Sequence, residues 1–152
     1  MKKITSLIAC LLMFVSTAVA QTEFTAEQER LRDELKSFIQ SEGYAPTIDS
    51  DGDIKFKIEG KIYYIAVSKK DSNPFYIAFF RNHPYGETST KAKIMNALSE
   101  CNTNKGIKIL CFDSSYSYRA EMFISSAKPF KAAFSKLVKQ IQSTADDLAE
   151  QM

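Results

Sequence analysis

Two neighbouring segments of this chain have no polar face. Ile62-Tyr63-Tyr64-Ile65-Ala66-Val67 and Phe75-Tyr76-Ile77-Ala78-Phe79-Phe80 are unbroken runs of β-branched, aromatic and small apolar residues, which at this length is strand composition. A strand sends alternate side chains to opposite sides of its sheet, so each run places apolar groups on both sides. Helices packed on one side leave the second side apolar as well. A chain built around these runs needs a sheet with one covered face and another that something else must cover in part.

The flanking segments supply the cover. Over residues 25–42 the spacing predicts a helix: Thr25-Ala26-Glu27-Gln28 is a capping-box pattern, Leu31, Leu35, Phe38 and Ile39 form one stripe, and Gly43 stands where a left-handed cap belongs. A second helix is expected from an N-cap at Ser89 to about Glu100, with Ile94, Ala97, Leu98 and Cys101 on its apolar face. A third follows Ser125 or Ser126, with Pro129 tolerated in its first turn. Its stripe is Phe130, Ala133, Phe134, Leu137, Val138, Ile141, Ala145 and Leu148. That stripe runs further than a small sheet covers, so its end either frays or meets a partner.

Between the helices the period is two. Ile54-Lys55-Phe56-Lys57-Ile58 alternates apolar residues with lysines, and Glu59-Gly60-Lys61 turns the chain into the first apolar run. Lys69 to Pro74 is a polar turn and residues 82–88 read as a loop. Ile107 to Phe112 and Tyr116 to Ile124 read as a hairpin around Asp113-Ser114-Ser115, and residues 45–48 as a short extra strand. The predicted order is α-β-β-β-α-β-β-α with that optional strand near the start. This is an α+β domain with an antiparallel sheet and helices on one face.

The stretch Thr47-Ile48-Asp49-Ser50-Asp51-Gly52-Asp53-Ile54 crowds three carboxylates around a glycine, as a calcium loop does. Counted from Asp49, glycine is fourth instead of sixth, and the twelfth residue is Gly60 where a bidentate glutamate is required. Asp51-Gly52 suits a tight turn leading into the alternating strand.

Residues 1–20 match an export signal. Lys2 and Lys3 precede the apolar run Leu7 to Val15, and Ala18-Val19-Ala20 supplies the small residues of a cleavage site after Ala20. The apolar run is shorter than the roughly 20 residues of a membrane span. Cys10 comes too early in it for lipoprotein processing. The expectation is a periplasmic or secreted protein of a Gram-negative cell, with one domain over residues 21–152 and its core at about 25–142. Loss of the two leader lysines leaves as many acidic as basic residues among the 18 Asp+Glu and 20 Lys+Arg of the chain. A neutral domain of this kind does not suit nucleic acid, which needs a basic surface. No later apolar run is long enough to span a membrane.

Catalytic chemistry lacks its usual parts. The single histidine, His83, lies between Asn82 and Pro84 and reads as an exposed loop residue. No nucleophile-elbow sequence, zinc-ligand cluster or glycine-rich phosphate loop occurs. No catalytic residue, metal ligand or cofactor site is assigned. A carboxylate-based hydrolase using Asp49, Asp51 and Glu59 stays open as an alternative, and requires those three side chains to converge. Cys101 and Cys111 are a candidate disulfide in an oxidising compartment, with two buried free thiols as the other reading.

Glu42-Gly43-Tyr44 at the end of a helix, Asp51-Gly52-Asp53-Ile54-Lys55-Phe56, Glu59-Gly60-Lys61 before an aromatic strand, and Asn96 in the middle helix after a long loop together resemble the YbjN-type family. That family is regarded as sensory-transduction regulators with a fold similar to type III secretion chaperones. The resemblance implies a non-enzymatic binder, often dimeric, with no catalytic residues to carry over. The export signal departs from the family and argues against a cytoplasmic secretion-chaperone role. The surplus of aromatics on the two-faced strands makes Tyr63, Tyr76, Phe80 and Tyr85 a candidate face for a protein or peptide partner or for a homodimer. An enclosed arrangement of the same rings would instead carry an apolar small molecule.

Overall fold

The computed structural model describes the backbone of residues 23–101 and 106–152, and the side chains of the same residues except 99–101. The expected signal segment, residues 1–20, lies outside the described residues. The elements are α1 (Ala26–Ser41), β1 (Thr47–Ile48), β2 (Ile54–Ile58), β3 (Lys61–Val67), β4 (Phe75–Pro84), α2 (Lys91–Cys101), β5 (Lys108–Cys111), β6 (Ser115–Ile124) and α3 (Lys128–Glu150). All six strands form one sheet in the order β1-β2-β3-β4-β6-β5, and every neighbouring pair is antiparallel. The α+β architecture with its antiparallel sheet is as the periodicity indicates, with the short extra strand present as β1.

The start of α1 is closed by the expected reciprocal bonds. Gln28 N donates to Thr25 Oγ1 at 3.3 Å, and Thr25 N donates to Gln28 Oε1 at 2.8 Å. The Gln28 side chain also donates through Nε2 to Asp71 O at 3.1 Å, tying the helix to the β3–β4 turn. At the other end Gly43 has φ +89 and Tyr44 N donates to Ile39 O at 3.2 Å.

The acidic turn between β1 and β2 is organised by one side chain. Asp49 Oδ1 accepts from Asp51 N and Asp53 N, both at 3.0 Å. The carboxylate thus replaces the backbone acceptors that a five-residue connection leaves missing. Among the described residues no group of three or more His, Cys, Asp or Glu side chains comes together to hold a metal ion.

The core lies between the sheet and the helices. Phe79, at the centre of β4, meets Phe130 and Phe134 of α3 at ring-centroid distances of 5.8 Å each, Tyr63 at 5.5 Å and Phe56 at 6.3 Å. Phe38 of α1 closes on Phe134 edge-on at 5.5 Å. Offset and edge-on pairs of this kind add to the stabilisation that burial alone provides. Leu31, Leu35, Ile39, Ile94, Ile141 and Leu148 complete one continuous buried cluster.

Four local expectations are corrected. β4 runs to Pro84, four residues beyond the predicted strand, so His83 lies in a strand and not in a loop. Proline is tolerated there because it is the strand's last residue. Thr90, not Ser89, caps α2, its Oγ1 accepting from Lys93 N at 3.4 Å. Ala127 occupies the N-cap of α3 with no side-chain cap, so neither Ser125 nor Ser126 plays that part. Leu148 is fully buried in the cluster, so the apolar end of α3 neither frays at that position nor faces outward.

Candidate binding face of the sheet

Alternation and register sort the sheet into two faces. Phe56, Tyr63, Ile65, Ile77, Phe79, Tyr118 and Ala120 point into the core. Their neighbours point the other way, onto a face that carries none of the described helices. One row across it pairs Lys55 with Tyr64, Tyr64 with Phe80, Phe80 with Arg119 and Arg119 with Lys108. A second pairs Ala66 with Ala78 and Ala78 with Glu121, and a third pairs Tyr76 with Phe123.

Aromatic groups dominate this face. Tyr64 and Phe80 are stacked with centroids 5.2 Å apart, and Tyr76 packs on Phe123 at 5.3 Å. Phe123 keeps 65% of its surface exposed, an unusual fraction for a phenylalanine in a regular strand. A charged stripe runs between the two aromatic pairs. Arg119 Nε lies 3.0 Å from Glu121 Oε1, off line for a good hydrogen bond, and Lys108 Nζ lies 3.2 Å from Glu121 Oε2. The Tyr76 hydroxyl directed at Glu121, helped by Lys108 and Arg119, holds its carboxyl below the usual carboxylate range. Lys55 and Lys57 border the face on β2. The composition is an apolar, aromatic surface with an excess of positive charge.

The four predicted face residues divide between the two sides. Tyr76 and Phe80 are on the helix-free face. Tyr63 is fully buried on the helix-covered face, against Phe56 and Phe79, so it is no part of the helix-free face. Tyr85 stacks on Tyr116 at 5.7 Å and donates its hydroxyl to Phe112 O at 3.1 Å, also on the helix side. The residues that complete the outer face and were not singled out are Tyr64, Arg119, Glu121 and Phe123. The alternation of Ser117, Arg119, Glu121 and Phe123 with Tyr116, Tyr118, Ala120 and Met122 is the signal for three of them.

The other candidates are dispersed. Asp49 and Asp51 sit at one end of β2 and Glu59 at the other, roughly 17 Å away along a five-residue strand. These three carboxylates do not converge, so the trio suggested for a carboxylate hydrolase forms no site. Cys111 is a half-buried free thiol; the Cys101 side chain lies outside the described residues. Among the described residues the outer aromatic pairs lie on the helix-free side of the sheet, with Phe123 65% exposed and Phe80 covered by its neighbours. A groove of about 360 Å³ lies at the β1–β2 edge of the sheet, lined by Tyr44, Ala45, Thr47, Lys55, Phe56 and Lys57. His83, read as exposed, is half-buried and stacked on Tyr116 at 5.3 Å. Burial, with Arg81 and Lys61 nearby, pushes its pKa down to about 4.

No protein-family model matches this chain, and no curated relative matches it in sequence. Two solved structures share the fold. One is an uncharacterized protein from Methanothermobacter thermautotrophicus, with a TM-score of 0.56 at 9% identity, covering 79% of this chain and 97% of that one. The other is a chain of the HopA1–SchA chaperone–effector complex, with a TM-score of 0.50 at 12% identity, covering 78% of this chain and 92% of that one. At such identities the likeness is one of fold alone, an α+β arrangement of helices on an antiparallel sheet. None of the described helices is long and apolar enough to cross a membrane.

Proposed function

We propose that this chain is an exported, non-enzymatic binding domain that holds a polypeptide segment on the helix-free face of its sheet. The observation that carries the reading is the Tyr76–Phe123 pair beside the Tyr64–Phe80 stack, with Phe123 65% exposed on a face that no described helix covers. An exposed aromatic ring backed by half-buried ones favours association because it brings large rigid area at little entropic cost. Lys55, Lys57, Lys108 and Arg119 around them favour a segment with apolar residues flanked by acidic ones. The fold shared with a chain of a chaperone–effector complex supports a protein partner. Export is supported by the leader pattern of residues 1–20, and a YbjN-type regulatory role by the short motifs alone.

A photo-crosslinking residue placed at Phe123 tests the reading, with one at Lys136 on α3 as control. The expected result is an adduct with another polypeptide from position 123 and none from 136. An adduct of twice the chain mass would identify the partner as a second copy, making the face a homodimer interface. Equal labelling from both positions, or none from either, overturns the proposal.

A further inference from the structure

The β3–β4 ladder ends at Tyr64 and Phe80, although β3 begins at Lys61 and β4 continues to Pro84. Past that rung each strand is paired on its outer side only. Lys61, Ile62 and Tyr63 stay with β2, while Arg81 to Pro84 stay with β6. The middle of the sheet therefore forks at this end. The facing backbone groups of the two arms lack ladder partners, and such groups call for water or a ligand.

The fork is lined by basic and hydroxyl side chains. Lys61 and Tyr63 on β3, and Arg81 and His83 on β4, share the strand positions that face the helices. Lys61 and Arg81 are both near enough to His83 to disfavour its protonation, and Arg81 lies close to the Tyr63 hydroxyl. Neither Lys61 nor Arg81 forms an ion pair with a described carboxylate. Tyr63 is fully buried, yet its hydroxyl has no hydrogen-bond partner of good geometry, Arg81 and Gln142 only approaching it. His83 Nε2 is likewise buried without a partner. Glu59, whose charge acts on Tyr63, takes a long hydrogen bond of 3.4 Å from Gln142 Nε2 instead.

Basic groups gathered without an acceptor repel one another, and each orphaned buried polar atom carries its own desolvation penalty. One negatively charged acceptor relieves both. We propose that the fork between β3 and β4 is an oxyanion site, which takes a carboxylate or phosphate group. Arg81 offers a planar pair of donors to two oxygens, Lys61 a mobile charge at the rim, and Tyr63 Oη and His83 Nε2 donors from the buried wall. The site is separate from the helix-free face and does not depend on the reading given to that face.

Because His83 is the chain's single histidine, its ring resonances report the site without ambiguity. The full chain is titrated at pH 7 and constant ionic strength with inorganic phosphate, with acetate, and with chloride as control. A saturable shift of the His83 resonances is expected for phosphate, acetate or both, and none for chloride. Phosphate alone would assign a phosphoryl ligand, and acetate alone a carboxylate such as a peptide terminus. Arg81→Gln should weaken binding by about tenfold, as should Tyr63→Phe, which keeps the ring and loses only the hydroxyl. Lys61 is exposed, so Lys61→Gln leaves the fold intact and should weaken binding about threefold even if the other variants do not fold. A non-saturating drift in the unmodified protein overturns the site. So does a saturable shift that Lys61→Gln leaves unchanged.

Discussion

The Arg119 guanidinium lies over the Phe80 ring, 4.8 Å from its centroid, while the opposite side of that ring rests on Tyr64. A phenylalanine on a face without a described helix is thereby only 7% exposed. Phe80→Ala removes both contacts and should cost about 3 kcal/mol of unfolding free energy. Arg119→Ala should cost about 1 kcal/mol, through lost packing as well as lost charge. A double-mutant cycle by urea unfolding should return a coupling of about 1 kcal/mol between them; additive losses would show that the stack is not an energetic unit.

Asp53 and His83 give opposing pH dependences. Burial, then Asp49 and Asp51, raises the Asp53 carboxyl from 3.8 to about 6. The folded state therefore holds this proton more tightly, and stability falls as pH rises from 3.8 to about 6. His83 is lowered from 6.5 to about 4. Its contribution is complete above pH 6.5 and is lost as pH falls towards 4. Both groups are only partly buried, so each effect is about 1 kcal/mol after solvent screening. Asp53→Asn should gain that amount at pH 7 and nothing near pH 3.5. His83→Gln should flatten the loss between pH 6.5 and 4. Unfolding measured across pH 3.5–7 checks both, and a variant curve parallel to the parent's refutes the corresponding assignment.

Gln28 acts in two places at once. Its side chain accepts from Thr25 N and donates to Asp71 O while the residue is 1% exposed. Gln28→Ala should cost about 2 kcal/mol, against about 1 kcal/mol for Thr25→Ala, which loses only the cap bond. The difference measures the tie to the β3–β4 turn. Equal losses would mean that tie contributes nothing.

The two-residue turn from β2 to β3 has positive φ at both positions, 50° at Glu59 and 78° at Gly60. Glutamate is a poor occupant of that conformation, and asparagine a good one. Glu59→Asn should stabilise the domain by about 0.5 kcal/mol, seen as a higher urea midpoint with unchanged slope. Gly52→Ala should do the reverse, by about 1–2 kcal/mol. At φ +89 its new methyl group would also meet the Phe24 ring at 2.7 Å.

How far the sequence could be read depended on whether the signal was local. The capping box of α1, the stripe of α3 and the alternation of Ile54 to Ile58 depend on a few adjacent residues, and the structure has them. The length of β4 does not. Asn82-His83-Pro84 has turn-forming residues, and only the long partner strand β6, with Tyr116 opposite His83, keeps it extended. Parity is also non-local. Tyr63 and Tyr64 are chemically the same, and the pairing of Tyr63 with Phe56 decides which is buried. The fork was invisible for the same reason, since it is a place where a register stops.

The sheet order has a consequence for the chain during synthesis. Strands β1 to β4 form a meander in which each strand pairs with the one before it, so these contacts close over short loops. The far side of β4 must wait for β6, which follows only after α2 and β5. Until Ser115 to Ile124 emerges, the edge of the most apolar strand is open to pairing with any other extended chain. Shielding nascent β4 is then a requirement of the topology itself, and a truncation between α2 and β6 should yield aggregate where a truncation inside α3 yields a weakened monomeric fold.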